Sequence, residues 1–105
     1  MTATRLFVLL AGAAALATAF SAAADDQMKL ATDKGCTACH AVDKKVIGPA
    51  YKEVAKKYKG DAKASEALAQ KVIKGSQGVW GPIPMPPNKL SDEEAKKLVA
   101  WILAL

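Results

Sequence analysis

The hexapeptide Gly35-Cys36-Thr37-Ala38-Cys39-His40 holds both cysteines of the chain and its single histidine. Two thiols and one imidazole packed this closely can serve as a disulfide, a metal site, a redox dithiol or a covalent anchor. The choice decides what the rest of the chain folds around. A structural zinc site needs four ligands, and the adjacency of Cys39 and His40 is poor geometry for one tetrahedron. A thioredoxin-like dithiol sits beside a βαβ pattern, and no strand-like alternation of any length is visible. A disulfide between residues so close in sequence closes almost no loop, so it constrains the unfolded chain very little.

Working outward, the 105 residues allow one small domain. Its N-terminal segment reads as something else. Arg5 precedes Leu6-Phe7-Val8-Leu9-Leu10, small apolar residues run to Phe20, and Ser21-Ala22-Ala23-Ala24 gives an A-x-A exit before Asp25-Asp26. That pattern is a secretory signal peptide over residues 1–24. An uncleaved anchor is the alternative, but the stretch is short and alanine-rich for a span of about 20 apolar residues. Removing 24 residues from 105 leaves an 81-residue domain, 25–105. Arg5 leaves too, so 14 lysines face 10 acidic residues. A domain this small rarely stabilises itself by core burial and usually carries a staple.

The apolar periodicity of the domain is helical. A first helix is expected from Asp26 to Lys34, with Met28, Leu30 and Ala31 as its apolar positions and Gly35 as its stop. Tyr51, Val54, Ala55 and Tyr58 follow an i, i+3, i+4, i+7 pattern between Pro49 and Gly60. Leu68, Ala69, Val72 and Ile73 share a face of a third helix, Ser65 to Lys74, which ends at Gly75. Ser91 and Glu94 form a capping box ahead of the stripe Ala95, Leu98, Trp101, Ile102 and Leu105. Between the last two lies GSQGVWGPIPMPPNK, residues 75–89, with four of the five prolines. It cannot be a helix interior, and a long irregular stretch in so small a domain is usually functional. The expected fold class is all-α.

Covalent haem accounts for all of these features together. Two thiols one helical turn apart can add to the two vinyl groups of one porphyrin, with the next residue, His40, held beneath the iron; C-x-x-C-H is the c-type haem attachment signature. A second axial ligand is often Met. Met28 is expected on the same helix as the cysteines, on the wrong side of the porphyrin plane. Met85 is bracketed by Pro82, Pro84, Pro86 and Pro87, which order their loop before any ligand binds. The ordinary alternative for Met85 is a gap-filling core methionine.

Three stretches taken in order, GCTACHAVDKKVIGPAYKEVAKKY, GSQGVWGPIPMPPN and SDEEAKKLVAWIL, resemble the small bacterial class I cytochromes c of the c-551 type. The likeness covers nearly the whole of residues 25–105. It implies the class I cytochrome c fold, about four short helices wrapped around one covalently attached haem c. It also implies thioethers at Cys36 and Cys39, with His40 and Met85 on the iron. The Pro49 carbonyl would accept a hydrogen bond from the other ring nitrogen of His40, which orients the imidazole and raises its basicity. Trp80 would donate its indole N–H to a haem propionate, and the Asn88 amide would steady the Met85 sulfur. Lys71 stands where the family often has an arginine; it keeps the charge and loses the planar fork. The family tends to place an aromatic on the first helix against the last, and here Leu30-Ala31 occupies that place, so Trp101 must find other packing.

The function implied is a periplasmic carrier of single electrons between respiratory redox proteins. It would be monomeric, without enzyme activity, and without stable membrane association once the signal is removed. Lysines concentrated between Lys44 and Lys63 suit redox partners with acidic docking patches. Each of them is also what any solvated helix face carries. Nothing beyond net charge suggests nucleic-acid binding. A haem-based sensor or enzyme with an open sixth position is the alternative of another class, and a thiol–disulfide module a third.

Overall fold

The computed structural model describes residues 24–105. The expected signal peptide therefore lies, but for Ala24, outside the described residues. Helix α1 covers 24–33 of them, followed by a single 3-10 turn at Cys36–Ala38. Then come α2 (Tyr51–Lys57), α3 (Ala64–Lys74) and α4 (Asp92–Leu103). The described residues contain no strand, only two isolated bridges, His40 with Lys45 and Ser76 with Met85.

Each boundary has a local cause. Asp25 and Asp26 lie in the first turn of α1, where the helix dipole favours negative charge. Gly35, at φ 80°, takes the left-handed conformation that stops it. At α4 the Ser91 hydroxyl accepts from the Glu94 N–H (3.1 Å) while the Glu94 carboxylate accepts from the Ser91 N–H (3.0 Å). That reciprocal pair satisfies two donors the helix cannot.

Helix α4 is the hub, packing on both α2 and α3. Toward α1 and α2 it contributes Leu98 and Ile102 to a cluster with Ala31, Cys36 and Tyr51. Toward α3 it contributes Ala95 and Val99 to a cluster with Ala69. Trp101 does find other packing: it meets Tyr51 edge-on, at 5.8 Å between ring centroids and 79° between planes. Two expected core positions are corrected. Met28 points outward at 40% exposure, because only Leu30 and Ala31 of α1 face the cluster. Leu105 lies beyond the end of α4 and is exposed, and Val99 is buried instead.

The core is made of small residues. Among the described residues, Leu98 and Val99 are the largest side chains that are fully buried, and six alanines fill most of the rest. Val46, Ile47, Val79, Trp80 and Ile83 all stay substantially exposed around one central cleft. The helices frame that cleft without filling it.

The cap of α4 supplies a test. The Ser91 N–H holds the Glu94 carboxyl below its ordinary range. A depressed folded pKa contributes stability that is present above the unfolded value near ~4.3 and lost as pH falls through the folded one. Ser91→Ala is expected to cost about 1 kcal/mol, a Tm loss of roughly 4–8 °C in a domain of this size. In thermal melts, Glu94→Gln is expected to lower Tm at neutral pH, with the difference from wild type closing as acid protonates Glu94.

Candidate functional site

The 3-10 turn after Gly35 is closed by the Cys39 and His40 N–H groups, which both donate to the Cys36 carbonyl at 3.1 and 2.9 Å. This tight geometry turns Cys36, Cys39 and His40 toward the same space. From the opposite side the proline-rich loop brings Met85, Trp80 and Ile83. The cleft between them has a volume of about 480 Å³. Pockets that take organic cofactors run from roughly 300 to 1,000 Å³. Val54, Leu68, Leu98, Val99 and Ile102 form much of its floor. Met28, on the outer face of α1, is not part of the lining.

His40 is fixed from three directions. Its Nδ1 lies 2.8 Å from the Pro49 carbonyl. That oxygen can only accept, so the proton sits on Nδ1 and the Nε2 lone pair is left free for a metal. Gly48 passes so close that an added Cβ would lie 2.5 Å from the ring Cε1. Tyr51 stacks on the imidazole, with centroids 5.0 Å apart and planes 19° from parallel. The Gly48 carbonyl and N–H also tie this loop down, accepting from Val46 (3.2 Å) and donating to Cys39 (2.7 Å).

Met85 is held mainly by backbone. Its N–H donates to the Ser76 carbonyl (2.8 Å), and its carbonyl accepts from the Ser76 N–H (3.0 Å). That clasp requires Gly75, which sits at φ 88°, ψ 166°, a region open essentially to glycine alone. A Cβ on Gly75 would lie 2.8 Å from the Met85 carbonyl oxygen. Asn88 departs from expectation. Its amide donates to the Val72 and Pro86 carbonyls, both at 3.1 Å, and not to the Met85 sulfur. Both amide protons are thereby occupied, and the side chain pins the loop to α3 instead.

Trp80 lines the cleft at 42% exposure, with the Lys57 ammonium 5.1 Å from its ring centroid. Lys71 lines it from α3. Sequence reasoning named Pro49 and the loop prolines. It missed the reasons for Gly48, Gly75 and Ser76, which are close approaches between segments distant in the chain. It also took Tyr51 only as one apolar position of a helical pattern.

This donor set suits a flat, apolar, iron-bearing group: two thiols on one wall, an imidazole with a free Nε2, and a soft thioether. It does not suit thiol–disulfide exchange. Burial pushes the Cys36 thiol up, outweighing the opposing contact from the Tyr51 hydroxyl, whereas reactive dithiols need a depressed pKa.

Wrap and cleft together define a small haem-carrying protein, and comparison with known proteins agrees. Residues 24–105 match the Cytochrome c family model. The chain is 58% identical over 81 residues to cytochrome c-551 of Pseudomonas aeruginosa, covering 77% of this chain and 78% of that protein. Wild-type cytochrome c552 of Nitrosomonas europaea is similar in structure, with a TM-score of 0.72 at 52% identity over 74% of this chain and 98% of that one. A class 1 cytochrome of Sideroxydans lithotrophicus gives a TM-score of 0.64 at 39% identity, covering 76% and 92%. The chain belongs to the cytochrome c family. It is a small class I cytochrome of the c-551 type, all-α, with one covalently attached haem c, and an electron carrier.

Gly75→Ala tests how the Met85 loop is held. The backbone strain alone is worth about 1–3 kcal/mol, and the contact with the Met85 carbonyl adds to it. Gly78 also has a positive φ, of 83°, but nothing lies within 4 Å of an added Cβ. Denaturant titration is expected to show a larger loss for Gly75→Ala than for Gly78→Ala.

Proposed function

We propose that this cytochrome carries single electrons between respiratory redox proteins in the periplasm, as a monomer and without catalysis of its own. Residues 1–24 are the export signal and 25–105 the working domain. Among the described residues no helix is long and apolar enough to cross a membrane.

The observation that carries the assignment is the convergence of Cys36, Cys39, His40 and Met85 on one apolar cleft. Cys36 and Cys39 form the two thioethers to the porphyrin. His40 Nε2 and the Met85 sulfur would bind its iron. The haem iron supplies a one-electron ferrous–ferric couple. The remaining work belongs to the chain. Pro49 keeps the Nδ1 proton in place, so the imidazole stays oriented and electron-rich. Gly75, Ser76 and Asn88 hold the Met85 loop rigid, and the apolar floor excludes water. Trp80 would donate its indole N–H to a propionate, and Lys71 would offer a positive charge there.

A closed iron is what separates a carrier from an enzyme or a ligand sensor. Outer-sphere transfer needs only a rigid site and an accessible edge. The exposed apolar rim around the cleft provides the edge, and the lysines of α2 and its flanks attract acidic patches on partners. Lys52 is neutralised locally by Asp43, at 2.6 Å, so the steering falls to the other lysines of that stretch. No nucleic-acid role is assigned to this charge.

Met85→Ala is the decisive variant. Loss of the thioether, which favours ferrous iron, is expected to lower the reduction potential by at least ~59 mV, a tenfold change for a one-electron couple. The ferrous variant is expected to bind carbon monoxide at neutral pH while the haem stays attached. Wild type is expected to resist carbon monoxide; ready binding by wild type would show an open iron and a different function.

A further inference from the structure

Tyr51 opens α2 and is 5% exposed, as a core aromatic should be. Burial does not explain where its ring lies. It is stacked on the His40 imidazole, 19° from parallel, and it also meets Trp101 in a T-shaped pair. His40, Tyr51 and Trp101 thus form a column that runs from the cleft into α4. The hydrogen bond from Nδ1 to the Pro49 carbonyl fixes one atom of the imidazole, and a ring held at one atom can still tilt and twist about that bond. Gly48 sits against the ring near Cε1. The aromatic face of Tyr51 limits the remaining freedom, because tilting the imidazole breaks the offset stack. Tyr51 is itself held, its backbone N–H donating to the Ala41 carbonyl at 2.9 Å.

We propose that Tyr51 is a positioning residue for electron transfer: its ring sets the plane of the His40 imidazole, and Trp101 holds Tyr51 in that attitude. The inference rests on the reading that His40 Nε2 binds the haem iron. Given that, the imidazole plane determines which iron orbitals its π system meets. The same plane keeps the Nδ1 hydrogen bond straight, and that bond makes the ligand more basic and so favours ferric iron. Loosening the ring is therefore expected to raise the potential and to change how the unpaired spin of ferric haem is distributed.

The test uses the haem-loaded protein. The readouts are the haem-methyl proton shifts of the ferric form and the midpoint potential, neither of which follows stability as such. Tyr51→Phe keeps the ring and is expected to retain the wild-type shift pattern and potential. Tyr51→Leu is expected to reorder or compress the methyl shifts and raise the potential. Trp101→Leu is expected to do the same to a smaller extent, and since Trp101 does not line the cleft, it decides the matter alone if Tyr51→Leu fails to load haem. A wild-type shift pattern in Tyr51→Leu, or in Trp101→Leu when it stands alone, would overturn the proposal. So would a change in Tyr51→Phe as large as in Tyr51→Leu, which would credit the hydroxyl beside Cys36 instead of the stack. His40→Ala separates the two levels: an unchanged iron spectrum in that variant would sink the ligand reading itself.

Discussion

The structure depends on a space that the polypeptide does not fill. With most of its fully buried positions occupied by alanine and only Leu98 and Val99 as large buried side chains, the domain lacks the apolar volume that chains of its size need. What it has instead is an apolar cleft of about 480 Å³ bounded by α2, α3, α4 and the proline-rich loop. The covalent haem is the missing core. The two apolar clusters join the helices to α4, and Cys36, Tyr51, Leu98, Val99 and Ile102 from them also face the cleft, where the group the sequence does not encode completes the core.

The two sides of the cleft are built on different principles. On the cysteine side, short-range geometry dominates: the left-handed Gly35, one 3-10 turn, and a loop returning through Gly48 and Pro49 to brace His40 nine residues earlier. On the methionine side, the chain has already left its helices. Rigidity there comes from four prolines, the paired hydrogen bonds between Ser76 and Met85, and Asn88 anchored to Val72. Both arrangements spend entropy during folding, before any electron moves. That suits a carrier, whose site should differ as little as practicable between its two redox states.

Much of this was legible in the sequence, for identifiable reasons. The helices carry strong 3.6-residue periodicity and explicit stops, so α2 and α3 fall within a residue or so of expectation, α4 ends two residues short of the expected Leu105, and the capping box at Ser91 forms as read. The C-x-x-C-H motif and the proline-bracketed methionine announced the cofactor because each is a local pattern. What the sequence did not yield depends on contacts across the fold. Met28 looked apolar in a helical pattern, yet the small Ala31 brings α1 against Leu98 and Ile102 by another face. The Asn88 amide turned to two backbone carbonyls because α3 places Val72 within its reach. Gly48 and Gly75 matter through close approaches, 2.5 Å to the His40 ring and 2.8 Å to the Met85 carbonyl for an added Cβ, and no single-chain pattern records such distances.

If haem is the core, the fold should not survive without it. The direct measurement is far-ultraviolet circular dichroism with a thermal melt on the Cys36→Ala/Cys39→Ala double variant, purified free of haem, beside the haem-loaded wild type. The two alanines remove the points of attachment and, at Cys36, one small buried sulfur from the core cluster. The account predicts loss of most helical signal in the variant and no cooperative transition. A native-like spectrum that melts cooperatively would contradict it, and would mean that the helices hold one another without the group at their centre.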